Sequence, residues 1–175
     1  MARLPSLPPV PGLRATISQT CNLDARRSIP VKPLVLAHLA ATLAMFGAIW
    51  VVQLVHYPLF GGVGAGGWPQ YAAGHGARIT LVVGPLMLVE ALTAALLVAA
   101  RPAAFPLWAV WAGLGLVGLI WASTFFVQVP LHEALRDGFS ADAHRRLVAT
   151  NWVRTAAWTL RAGLALWLTA RLLPG

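Results

Sequence analysis

Polar side chains recur at helical spacing inside otherwise apolar stretches of this sequence. One such stripe has spacings of three, four and three residues, which places its members on one face of a helix. It consists of Asn151, Arg154, Trp158 and Arg161. Other stretches contribute amide, imidazole and carboxylate groups, which bind small molecules by hydrogen bonds and charge and, for imidazole, exchange protons near neutral pH. We therefore predict a ligand-binding site from Gln53, His56, Glu90, Gln128, Asn151, Arg154 and Arg161.

Four histidines lie near the ends of the apolar stretches that carry these polar groups, and histidine is also a metal ligand. They are His56, His75, His132 and His144. Imidazoles that converge from separate segments are ligands for copper, zinc or haem iron. No pair has the i, i+4 spacing of a strong metal motif, and Cys21 is the single cysteine of the chain. The alternative is that these histidines hydrogen-bond loop carbonyls and cap helix ends, and the sequence leaves both readings open.

Composition identifies the kind of protein that must position these groups. Hydrophobic residues make up 58% of the chain and charged residues only 10%, whereas soluble domains have about 25% charged residues. This balance predicts an integral membrane protein that contacts lipid. The net charge of +8 does not indicate nucleic acid as a partner, because the basic residues flank apolar stretches as the positive-inside rule describes.

Four apolar segments follow a tail rich in proline and arginine. Each has the ~20 residues that a helix needs to cross a ~30 Å hydrocarbon core, and alternating strand patterns are absent. We predict an all-α integral membrane four-helix bundle over residues 33–175, behind a disordered cytoplasmic tail at residues 1–32. The expected helices are residues 34–60, 79–100, 103–129 and 152–173.

The distribution of lysine and arginine predicts the orientation of this bundle. The side that holds both termini carries more Lys and Arg than the opposite connections, which places the termini in the cytoplasm of a bacterium and the bundle in its inner membrane. Aromatic residues are expected in belts at the two membrane interfaces. One belt would hold Tyr57, Trp68, Tyr71 and Trp152, and the other Trp108, Trp111 and Trp167.

The two extracytoplasmic connections resemble each other in residue order. Pro58 aligns with Pro130, and His75 aligns with His144 once three residues are removed from the second connection. One interpretation is a helix–loop–helix unit used twice, as parallel repeats about an axis along the membrane normal. The other is that any two membrane hairpins share proline, glycine and aromatic residues near their loops.

Glu90 and Arg161 are predicted to meet near the middle of the membrane. They lie twelve residues from Arg78 and ten from Asn151, or ~18 Å and ~15 Å along a helix. An isolated charge at that depth is costly, so opposite charges at matching depth favour an ion pair. The pair is either a structural clasp or the floor of a polar cavity.

Several short segments of the chain resemble known membrane proteins. Residues 50–58, the helix of Glu90, and residues 128–132 and 151–155 resemble a group of uncharacterised bacterial four-helix membrane proteins. More distantly, residues 34–172 are similar to the anthrone oxygenase-like membrane family, whose members share a histidine in helix one and a late Asn/Trp/Arg segment. The resemblance implies a small-molecule oxygenase-like protein and designates no catalytic residue.

Together, these patterns predict a multi-pass membrane protein whose His/Arg cavity opens to the extracytoplasmic side. Its expected function is to bind, and through the resemblance to oxidise, a small hydrophobic or redox-active molecule. The alternative is a non-catalytic subunit or assembly factor of a larger membrane complex. Its partners would then be other membrane subunits or further copies of the same chain.

Overall fold

The computed structural model describes residues 30–173. Within this range the chain forms four long helices and no strand, which confirms the predicted all-α bundle. The helices are α1 (Val31–Gly62), α2 (Trp68–Ala99), α3 (Leu107–Arg136) and α4 (Ala141–Ala170). Most of the predicted tail lies outside the described residues, and its last two residues, Val31 and Lys32, already belong to α1.

Helices α1 and α3 each contain one π-helical segment, at Val52–His56 and Thr124–Gln128. Each segment ends two residues before a proline, Pro58 or Pro130. Proline donates no backbone hydrogen bond and its ring crowds the carbonyl four residues earlier, and a wider turn relieves this. Pro85 lies inside α2 without a π-helical turn, so proline alone does not specify one. The two π-helical segments hold equivalent places relative to the aligned prolines, so α1 and α3 match more closely in structure than in sequence.

The four helices pack so that each contacts two neighbours. Helix α1 packs against α2 and α4, and α3 packs against the same two helices. Short connections join consecutive helices, so neighbours run antiparallel. Side chains of α2 and α4 that point inward therefore meet across the centre of the bundle.

Helices α2 and α4 begin about three turns earlier than predicted, at Trp68 and Ala141 instead of residues 79 and 152. Hydropathy identifies the stretch that crosses lipid, but it gives no signal for polar first turns, which hydrogen bonds and ion pairs can stabilise. At the start of α4, Ser140 accepts a hydrogen bond from the Ala143 amide, and Asp142 pairs with two arginines of the next turn. The two predicted long connections shrink to residues 63–67 and 137–140. We call the end of the bundle with these connections the histidine end.

Three of the four helices, α1, α2 and α3, are long and apolar enough to cross a membrane. Helix α4 has sufficient length but is not among them, because it carries the polar stripe. Large apolar side chains such as Leu81 and Phe126 are 76% and 81% exposed on the outside of the bundle. These features are those of a membrane protein whose outer surface contacts lipid.

The residues of the two predicted aromatic belts differ in exposure between the two ends of the bundle. Trp108, Trp111 and Trp167 are well exposed, as belt residues should be. At the histidine end, however, Tyr57 and Trp68 are buried at 4% and 1% exposure. Trp68 donates its indole N–H to the Leu135 carbonyl and forms part of the core there. Hydropathy does not distinguish an aromatic ring at an interface from one that packs inside the same end of a bundle.

Candidate functional site

A buried ion pair lies at the centre of the bundle. The Nε atom of Arg161 on α4 is 2.8 Å from Oε1 of Glu90 on α2, and both residues are 2% exposed. The second carboxylate oxygen, Oε2, accepts the indole N–H of Trp158 at 2.9 Å. Arg161 also donates from Nη1 to the Gly113 carbonyl of α3. The predicted pair is confirmed, and we call this group the compensated centre.

The compensated centre leaves little room for a ligand. A pocket of about 20 Å³ beside it is lined by His38, Gly113 and Arg161 among others. Such a volume accommodates about one water molecule. His38 makes a 2.8 Å hydrogen bond to Thr93, one turn after Glu90. Apart from Arg161 Nη2, which has no partner among the described residues, the polar atoms of this centre join helices.

Gln53 and Asn151 join α1 to α4 in a second polar network. Asn151 donates from Nδ2 to Gln53 Oε1 at 2.8 Å, and the Thr155 hydroxyl donates to the same oxygen at 3.3 Å. Gln53 Nε2 donates to the Val148 carbonyl at 3.2 Å. Both amides are buried and are committed to these bonds. Their role is to hold the two helices together, and they offer little to a ligand.

Arg154 differs from Arg161 although both lie on the same face of α4. It is only 6% exposed, yet none of the ion pairs among residues 30–173 includes it. Its Nη1 atom donates to Asn151 Oδ1 at 3.3 Å, and its Cζ atom lies 5.2 Å from the Trp158 ring centroid. Removing an ion from water costs several kcal/mol, whereas a desolvated cation–π contact returns about 2 kcal/mol. The charge of Arg154 is therefore under-compensated.

A cavity of about 130 Å³ lies beside Arg154 and is lined by all four helices. Its polar lining includes Tyr57, Gln128, His132 and Arg154, and we call this group the cavity centre. Gln128 is 1% exposed and donates from Nε2 to Thr150, but its Oε1 accepts no hydrogen bond within the described range. The Nε atom of Arg154 is likewise without a partner among these residues. The apolar lining consists of Met45, Ala48, Ile49, Val52, Ile79, Val83 and Val129, with Thr80 and Thr124.

A larger groove of about 500 Å³ adjoins the cavity between α2 and α3. The two spaces share four lining residues: Ile79, Thr80, Val129 and His132. Small side chains of α2, including Ala72, Ala73 and Gly76, line the groove and leave space opposite α3. The shared lining places the groove next to the cavity, at the histidine end.

The four predicted histidines surround one aromatic ring. Phe60 lies between them, with ring-centroid distances of 5.2, 5.1, 6.4 and 6.2 Å to His56, His75, His132 and His144. The phenyl ring therefore occupies the middle of the cluster, where a shared ligand would have to lie. The sequence gives no signal of this position, because a phenylalanine two residues after a proline has no distinctive pattern.

The histidine nitrogens make hydrogen bonds at the helix ends. His56 Nε2 lies 2.7 Å from His75 Nδ1, and His132 Nε2 lies 2.9 Å from the Tyr57 hydroxyl. His144 Nε2 lies 2.8 Å from the Tyr57 carbonyl. No group of three or more His, Cys, Asp or Glu side chains among residues 30–173 has the arrangement that holds a metal ion. The geometry supports the hydrogen-bonding alternative better than a copper, zinc or haem site.

The predicted ligand-binding residues thus fall into separate groups. Gln128 and Arg154 line the cavity together with His132, whereas Glu90 and Arg161 form the compensated centre. His56 lines a different, open pocket with His75, and the rings of His75 and Phe60 lie between it and His132. The missed member of the cavity centre is Tyr57. Its direction depends on the π-helical turn that ends at His56, which proline alone does not specify, so the sequence gives no clear signal for it.

Comparison with known proteins identifies no relative of this chain. No family model, curated protein or solved structure gives a significant match. The functional argument therefore depends on the geometry of the two polar centres.

Proposed function

We propose that this membrane protein binds a small, mainly apolar molecule that carries at least one oxygen atom, in the cavity beside Arg154. The observation that carries the proposal is that Arg154 and Gln128, two residues of the cavity lining, each have a buried polar atom without a hydrogen-bond partner among the described residues: Arg154 Nε as a donor and Gln128 Oε1 as an acceptor. Buried polar atoms normally have a hydrogen-bond partner, and those that do not call for an explanation. A ligand with both an accepting oxygen and a hydroxyl would satisfy the two atoms.

The size and lining of the cavity indicate the kind of ligand. An engineered apolar cavity of about 150 Å³ in another protein binds benzene, so a space of about 130 Å³ suits one six-membered ring. Met45, Ile49 and Val83 provide apolar contacts, whereas Tyr57 and His132 offer hydrogen bonds at the histidine end. The adjoining groove gives room for a substituent on that ring.

The resemblance to the anthrone oxygenase-like family would add oxidation of the ligand to this proposal. An anthrone has three fused rings, however, and its volume is larger than that of the cavity. Such a ligand would have to extend into the groove. Binding is therefore the function that we propose from the geometry. Oxidation is a separate step, to be tested by product analysis once a ligand is known.

The test measures saturable binding of two probes of one shape, 4-fluorobenzyl alcohol and 4-fluorobenzoate, to the purified protein in detergent by fluorine NMR. Ala48 lines the cavity, so Ala48→Phe should fill it and abolish binding. Ala44, one turn earlier on α1, is exposed, and Ala44→Phe is the matched control that should bind normally. If neither probe binds saturably, or if Ala48→Phe binds as well as Ala44→Phe, the proposal is wrong and a non-catalytic subunit becomes the better account.

We also propose that the bundle lies in a bacterial inner membrane with both termini in the cytoplasm. The support is the number of Lys and Arg residues, seven on the side of the termini and four on the other side. The seven are Arg3, Arg14, Arg26, Arg27, Lys32, Arg101 and Arg171. Reporter fusions at Gly66 and Gly138 in the short connections should both read as extracytoplasmic. A cytoplasmic reading at either position would contradict this orientation.

A further inference from the structure

We infer that the ligand of this cavity is a small organic monoanion whose charged oxygen, a carboxylate or phenolate, pairs with Arg154. This inference rests on the proposed binding function and names the class of molecule that the cavity takes. It follows from the distribution of charge among the buried residues and from the chemistry of the cavity lining.

The charged side chains near the middle of the bundle do not balance. Glu90 is the one acidic residue among the buried residues of the described range, and it is bonded to Arg161 and Trp158. Asp142 and Glu133 are exposed and pair with arginines on their own helices. Arg154 is left with a buried positive charge and a neutral amide as its hydrogen-bond acceptor. An anion in the cavity would supply the missing countercharge.

The other polar groups on the cavity lining suit a negatively charged oxygen. Tyr57 and His132 line the same cavity as Arg154 and share one hydrogen bond. When His132 Nε2–H donates in that bond, the phenol proton of Tyr57 is free to donate to a ligand. Guanidinium groups bind carboxylates through short, charge-assisted hydrogen bonds, and the Nε–H of Arg154 is a free donor within residues 30–173. Gln128 offers an acceptor, which a hydroxyl on the same ligand would satisfy.

The chain contains a matched control for Arg154. Arg171 also lies over a tryptophan, with its Cζ atom 4.9 Å from the Trp167 ring centroid. It lies at the opposite end of α4, is exposed and does not line the cavity. Substitution of either arginine by glutamine removes one positive charge and one cation–π contact, but only Arg154→Gln alters the cavity.

The experiment compares the two probes by fluorine NMR well above the pKa of benzoic acid. We expect 4-fluorobenzoate to bind wild-type protein at least tenfold more tightly than 4-fluorobenzyl alcohol. Arg154→Gln should reduce this ratio below threefold, while Arg171→Gln and Arg154→Lys should keep it. Partition into detergent favours the neutral alcohol, so a preference for the anion cannot arise from the micelle.

Each contrary result has a distinct meaning. If both probes bind with equal affinity, or the alcohol binds more tightly, the monoanion inference is wrong and the proposed binding function stands. If neither probe binds, both are wrong. Should Arg154→Gln fail to fold, the affinity ratios of the wild type and Arg154→Lys decide the question, and a ratio near one in both overturns the inference.

Discussion

The compensated centre and the cavity centre lie on the same face of α4, only seven residues apart, and differ in how their arginines are held. Arg161 has a carboxylate at 2.8 Å, a backbone carbonyl acceptor and a pocket of about 20 Å³ beside it. Arg154 has a neutral amide acceptor, an aromatic ring and a cavity of about 130 Å³. Two arginines with the same sequence signal are therefore held differently, one in an ion pair and one beside the cavity that we propose as the binding site.

Trp158 separates the two centres and contacts both. Its indole N–H donates to Glu90, and its ring lies against the Arg154 guanidinium. The residue is fully buried, so it fixes the distance between the two centres. In this proposal, an intramembrane charge indicates a functional site when the surrounding residues supply no countercharge, as at Arg154, and a structural role when they do, as at Arg161.

Breaking the clasp should have the largest effect on stability. Glu90→Gln or Arg161→Met alone leaves one buried charge uncompensated and should cost about 3–5 kcal/mol of unfolding free energy. The double variant should recover more than half of that loss, because no lone charge remains. Unfolding in detergent measures all three variants. The control is Glu133→Gln, which breaks an exposed pair worth about 0–1 kcal/mol, and additive losses in the double variant would contradict a direct pair.

Removing a neutral hydrogen bond from the cavity centre should have a smaller effect. Tyr57→Phe deletes the hydroxyl that lies 2.9 Å from His132 and should lower stability by about 1 kcal/mol. The half-buried Tyr71 stacks on His75, and no hydrogen bond of its hydroxyl is found among the described residues, so Tyr71→Phe is the control. An equal loss in both variants would mean that the Tyr57–His132 bond contributes nothing specific.

Removing the charge of the cavity centre should have the smallest effect on stability. Arg154→Met loses a cation–π contact worth about 2 kcal/mol and a 3.3 Å hydrogen bond, but it also removes a desolvation cost of several kcal/mol. We expect the unfolding free energy to stay within about 1 kcal/mol of the wild type. The same substitution at Arg161 should cost several times more. A loss at Arg154 as large as that at Arg161 would abolish the distinction between the two centres.

Sequence alone predicts the bundle and the clasp because both depend on regular patterns. Apolar segments of sufficient length indicate the helices, and the depth of Glu90 and Arg161 follows from the helical rise. Helix starts were missed at Trp68 and Ala141 because polar first turns carry no hydropathy signal. These limits explain why the fold class was predicted correctly while several boundaries were not.

The arrangement of the histidines could not be read from the sequence for a geometrical reason. A π-helical turn before Pro58 rotates the residues that follow it, so ordinary helical spacing does not give their directions. The position of Phe60 among the histidines depends on packing between all four helices and has no local pattern. Sequence could therefore identify the candidate side chains, but not which of them share a cavity.

The most direct test of the account is a crystal structure of the protein with 4-bromobenzoate, in which the anomalous signal of bromine locates the ligand. The account predicts one bromine site in the cavity between Met45, Ile49 and Val83, with the carboxylate toward Arg154. Bromine found only at the exposed Arg171 and Trp167, or only on the lipid-facing surface, would contradict the claim that the under-compensated arginine marks the binding site.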